Sequence, residues 1–76
     1  MMYVVTVVND KGQVITQRTF NNYCDMEDYA NLLIEISRKI EERKTKDITK
    51  ILKKDVKNLI RATEIEDKFV IAEMEV

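Results

Sequence analysis

The sequence predicts a small α+β fold, one domain over residues 1–76. Three observations predict it. Two β-branched segments flank the only glycine, a long middle stretch carries apolar residues at helical spacing, and the C-terminus returns to strand-like alternation. The expected order is ββααβ, with a three-stranded mixed sheet ordered 2-1-3 and two helices packed on one face.

Met2 to Val8 is β-branched or aromatic almost throughout, and Val14 to Phe20 alternates. Between them stands Asn9-Asp10-Lys11-Gly12. A type I turn closed by a left-handed residue needs glycine last, because glycine has no Cβ to clash at positive φ. Residues 2–20 therefore read as a β-hairpin. The first strand is apolar on both faces, with Tyr3, Val5 and Val7 on one and Val4, Thr6 and Val8 on the other. Such a strand belongs at the centre of a sheet, or its second face meets something.

Asn21 to Cys24 reads as a loop, and Asp25 as the cap of a helix with Glu27 and Asp28 in its first turn, where the macrodipole favours negative charge. Met26, Tyr29, Leu32, Leu33, Ile36 and Ile40 form one stripe at 3.6-residue spacing, with Lys39, Arg43 and Lys44 towards the C-terminal end. Ile34 falls off that stripe and is expected as an exposed contact residue. After a break at Thr45-Lys46, Asp47 caps a second helix to about Arg61, burying Ile48, Ile51, Leu52, Val56 and Leu59. Phe69 to Val76 reads as the last strand, parallel to the first. Two points stay open: whether the two helices are one, and whether residues 60–66 join a hairpin with the last strand, as the alternation of Ile60, Ala62 and Glu64 permits. The glycine-closed hairpin followed by an amphipathic helix resembles the opening of the ubiquitin-type β-grasp. That resemblance covers roughly the first half of the chain and implies no activity here.

Net charge is only −1, yet it is segregated: −3 over residues 1–37, +6 over 38–61 and −4 over 62–76. The basic stretch puts Lys50, Lys53, Lys54, Lys57 and Arg61 on one arc of the second helix, able to meet phosphates or an acidic protein. Lysine outnumbers arginine there and aromatics are missing, so any nucleic acid would be held by its backbone and not read by its bases. The alternative for these lysines is a solvated helix face.

The parts of an active site are scarce. The chain has no histidine and one cysteine, Cys24, which rules out an intramolecular disulfide and the usual zinc set. A Ser or Cys nucleophile lacks its commonest base. The sole glycine is spent on the hairpin, leaving none for a phosphate loop. Asp25, Glu27 and Asp28 lack the spacing of a calcium loop and suit helix capping better. No enzyme activity, cofactor, metal or small-molecule substrate is expected. No apolar run approaches the roughly 18 residues of a membrane span, so the expected place is a reducing cytoplasm, the host's if the gene is a phage's.

A three-stranded sheet covered on one side would bare the other, which points to Val4, Val8, Ile15 and Met74, with Ile34, as a protein interface. Open strand edges could also pair with a partner. The leading expectation is a small non-catalytic protein-binding or regulatory module, self-associating as a homodimer. A phage- or mobile-element-encoded inhibitor of a host protein fits the size and the Lys- and Ile-rich composition. The alternative is a nucleic-acid-backbone-binding protein working through helix 47–61.

Overall fold

The computed structural model describes residues 1–37, 41–42, 50–52, 57–66 and 68–76. Strands β1 (Tyr3–Asn9) and β2 (Val14–Phe20) precede helix α1 (Tyr23–Ser37). The two-residue strand β3 (Glu41–Glu42), then β4 (Leu59–Ile65) and β5 (Phe69–Glu75), complete one sheet ordered β2-β1-β5-β4-β3. Every pair is antiparallel.

The hairpin forms as its turn chemistry dictates. Gly12 has φ 81°, and its N–H donates to the Asn9 carbonyl at 3.0 Å. The Asn9 side chain holds the loop from within, its Oδ1 accepting from the N–H groups of Lys11 and Gln13 at 3.0 and 2.9 Å. The register slips between Val7 and Val8, so that Ile15 is an extra residue in β2. A bulge of this kind re-aims the side chain it carries. Ile15 accordingly lines the α1 side of the sheet beside Thr16.

Helix α1 starts earlier than Asp25. Asn22 is its cap: the Asp25 N–H donates to Asn22 Oδ1, and Asn22 Nδ2 donates back to Asp25 Oδ2, both at 2.9 Å. This is the reciprocal logic of a capping box with Asn and Asp in place of Ser and Glu. Cys24 thus lies in the first helical turn, exposed.

The expected helix to Lys44 is corrected at Glu41 and Glu42, which pair with Glu64 and Thr63 of β4. The second helix is corrected too. Residues 50–52 are helical, but Lys57 and Asn58 form a turn and Leu59, Ile60 and Arg61 are strand. Residues 43–49 and 53–56 lie outside the described residues, and with them the break at Thr45-Lys46, the cap at Asp47, and Ile48 and Val56.

Of the two readings open for residues 60–66, the hairpin holds. Lys68 N–H donates to the Ile65 carbonyl at 3.0 Å across a turn in which Glu66 takes φ 52°. That extra strand explains the direction of β5. Once β4 has run one strand length, the chain enters β5 from the opposite end and lies antiparallel to β1 rather than parallel. The place beside β1, opposite β2, is as expected; the likeness to the β-grasp ends at α1.

The inner strands of the sheet are covered on both faces. On one, α1 packs Met26, Ala30 and Ile34 against Val5, Ile65 and Ile71, with Tyr3, Val7, Phe20, Tyr29 and Leu33 around them. On the other, Ile51 and Leu52 pack with Leu59 against Ala62 and Val70. The second helical segment therefore covers the face opposite α1, and the picture of two helices on one face is corrected. Ala62 and Ala72 stand opposite each other on that face, and their small side chains leave room above them.

Thr6 shares the second face and is 2% exposed, yet its Oγ1 has no hydrogen-bond partner. Burying an unpaired hydroxyl costs stability that a methyl group of the same shape avoids. Thr6→Val should raise the unfolding free energy by about 1 kcal/mol in urea titration; a loss would mean that the hydroxyl is bonded.

Candidate docking surface

The residues marked in the sequence are dispersed by the fold. Val4 and Val8 are core, 7% and 1% exposed, because the face they occupy is covered rather than bare. Ile34 is core as well, 6% exposed against Val5 and Ile71, while Leu32 and Ile36 stand exposed at 53% and 69%. The buried stripe runs through residues 26, 30 and 34, rotated about 90° from the expected one by the geometry of 3.6 residues per turn. Ala30 explains the shift: the stripe was placed by large apolar side chains, but close approach of helix to sheet selects a small one. Met74 is half-buried. Ile15 alone of these five is an exposed large apolar residue, at 56%.

The basic arc is dispersed likewise. Lys50 borders a shallow cleft with Asp10, Lys11 and Gly12 at the hairpin tip. Lys57 is exposed in the turn before β4, at the other end of the sheet. Lys53 and Lys54 lie outside the described residues. Arg61 lies in β4 facing α1, where Nη2 donates to Glu73 Oε1 at 2.6 Å and to Asn31 Oδ1 at 2.8 Å. The pair is lopsided, with Glu73 almost fully buried and Arg61 a third exposed. It ties β4, β5 and α1 together. Beside it, the Tyr23 hydroxyl is held above the ordinary tyrosine pKa, chiefly by its hydrogen bond to Glu27 and then by that carboxylate's charge.

Among the described residues, the longest open strand edge is the outer edge of β2. Six of its seven residues are exposed, and only β1 pairs with it. Tyr3, Val5 and Val7 turn their backbone groups towards β2, since Met2 on the alternate set accepts from Val76 beside β5. Their partners Phe20, Arg18 and Thr16 thus spend their backbone groups inward, and Gln17 and Thr19 present N–H and C=O groups to the outside.

Arg18 is the one charge in this strand, and it is stacked. Its guanidinium carbon lies 5.4 Å from the Phe20 ring centroid and 5.1 Å from that of Tyr29. Phe20 and Tyr29 are themselves 5.4 Å apart, locking α1 to β2. Tyr29 marks the helix flank on the β2 side, and Leu32 and Ile36 follow it at helical spacing. Ile36 closes an apolar groove of about 240 Å³ with Ile15, Thr16, Val7, Leu33 and Phe69. An open strand edge thus lies beneath an exposed apolar lip. Sequence reasoning found the edge and Ile15 but missed Leu32 and Ile36, taking them as core. It missed Asn31 and Glu73 too, for their spacing in the chain carries no sign that they meet.

Removing Arg61 takes from the buried Glu73 carboxylate the guanidinium that donates to it at 2.6 Å. Arg61→Met should cost about 2–3 kcal/mol, discounted from a fully buried pair because Arg61 is partly exposed. Adding Glu73→Leu should recover most of that loss in chemical denaturation; an unchanged Arg61→Met midpoint would show that the pair contributes nothing.

No described helix is long and apolar enough to cross a membrane. No family model matches the chain, and no solved structure does. The chain is similar to Uncharacterized protein 70 of Sulfolobus islandicus filamentous virus (isolate Iceland/Hveragerdi). The two are 38% identical over 78 aligned positions, which cover 97% of this chain and 96% of that one.

Proposed function

The chain belongs to the family of protein 70 of Sulfolobus islandicus filamentous virus, and on that premise we propose that it is a virus-encoded docking protein, one that acts by holding another protein and not by chemistry. The observation that supports this reading is the exposed β2 edge beneath the apolar lip of Leu32, Ile36 and Ile15. Natural sheets protect exposed edges with charge, proline or short length. This edge has seven residues, no proline and one stacked arginine. Strand addition to such an edge gives affinity through backbone bonds, and the apolar lip gives selectivity through side chains.

Inhibition of a host protein is the action proposed, since a small chain with no histidine and a single glycine, used in the hairpin turn, is better suited to act by occupancy. The nucleic-acid reading has less support. Arg61 is engaged with Glu73 and Asn31, and Lys50 and Lys57 stand at opposite ends of the sheet.

The test is affinity capture from host extract, with and without nuclease treatment, using purified wild type and two variants. Lys50→Glu/Lys57→Glu should capture the same proteins as wild type. Ile15→Lys/Ile36→Lys should capture at least about tenfold less, the equivalent of 1.4 kcal/mol. Capture that vanishes with nuclease or with the lysine reversals would sink the docking reading in favour of a nucleic-acid partner.

A further inference from the structure

We propose that the β2 edge is occupied by a second copy of this chain, with the two β2 strands antiparallel about a two-fold axis through Gln17. This rests on the docking reading above and names a second copy as the occupant of that surface in the free protein, which a host partner would displace. The two five-stranded sheets would then become one sheet of ten strands.

Self-pairing is favoured by what the strand carries. Charged residues make up 36% of the chain, yet β2 holds only Arg18. Strands meeting edge to edge suffer from like charges placed opposite one another. The outward backbone groups of Gln17 and Thr19 allow symmetric registers centred on Gln17, Arg18 or Thr19, and the one centred on Thr19 overlaps only residues 18–20 of the strand. An axis through Arg18 sets the two arginines face to face. An axis through Gln17 sets Arg18 opposite the partner's Thr16, and Phe20 opposite the partner's Val14. Strand overlap and charge together therefore select the Gln17 register, and the Arg18 guanidinium stays stacked on Phe20 and Tyr29 within its own copy.

The same axis brings the exposed flanks of the two helices, each with Leu32 and Ile36, to face one another across the joined strands. One operation thus answers both unsatisfied features of the surface, the bare backbone and the bare apolar lip.

The assembly closes on itself. An isologous two-fold uses each β2 edge once and leaves no copy of it free. At the other end of the sheet, the described edge strand β3 is only two residues long. Edge-to-edge growth into a filament is thereby discouraged. The footprint is one strand roughly 23 Å long with a helix flank above it. That places the contact among small interfaces, below about 1,200 Å² in total, and makes the dimer a reversible one.

The experiment is sedimentation of the full purified chain over a wide concentration range, with a register-specific cross-link. Wild type should move from 9.0 kDa towards twice that mass as concentration rises. Leu32→Lys/Ile36→Lys should stay monomeric with an unchanged circular dichroism spectrum, since both residues are exposed. Gln17→Pro, which removes one outward N–H, should also weaken the dimer.

In a Cys24→Ser background, Gln17→Cys should form a disulfide dimer under mild oxidation. Residues paired on an antiparallel two-fold have Cα atoms about 5.5 Å apart, within disulfide reach. Arg18→Cys should cross-link far less. A wild type monomeric at every concentration, or a dimer that survives Leu32→Lys/Ile36→Lys and does not cross-link at position 17, overturns the proposal. A monomer would still leave the docking reading to host-extract capture, which reads a different partner.

Discussion

The pairing of β1 with β5 is the constraint from which the rest of the molecule follows. These two strands are bonded on both edges, and each buries residues on both faces. A strand pair of that kind is stable only if both faces are covered. Helix α1 covers one, and Ile51 and Leu52 help to cover the other. In a domain of 76 residues little chain remains to shield the flanks of the sheet. The result is a molecule with a dry middle and an uncovered outer strand, β2.

Polar groups follow the same geometry. Glu73 lies on the central strand and is almost fully buried, so its charge needs a partner from a neighbouring element. Arg61 supplies it from β4, and the same guanidinium reaches Asn31 on α1. At the opposite flank of the helix, Phe20, Tyr29 and Arg18 stack in a second tie, between α1 and β2. The helix is thus held on both sides of its axis, by charge towards β4 and by aromatic contact towards β2. The second tie also withdraws the only charge of β2 from its edge. The edge is left to be read by its backbone and by the apolar side chains above it.

Local features were legible in the sequence wherever a residue can act in only one way. Gly12 marked the hairpin because only glycine enters that turn freely, and the alternation of Phe69 to Val76 marked the last strand. The doubly apolar composition of the first strand placed it inside the sheet with β2 and the last strand on either side. The helix was legible in place but not in phase. Large apolar residues at 32 and 36 outweighed Ala30 in the pattern, whereas packing against the sheet selects by fit. The basic run over residues 50–61 suggested one long helical face, because lysines at helical spacing say nothing about where a helix stops. Leu59 and Ile60 suit either state, and pairing with β5 decided for strand.

Residue chemistry within a few positions was enough for the α+β class, the β1–β2 hairpin and the inner position of β1. Tertiary structure alone decided that β5 runs antiparallel, that Val4, Val8 and Ile34 are core, that Arg61 meets Glu73, and that Leu32 and Ile36 stand over an open edge. Those outcomes depend on contacts between residues far apart in the chain. Such contacts are fixed by which faces must be buried together, a condition that no local pattern records.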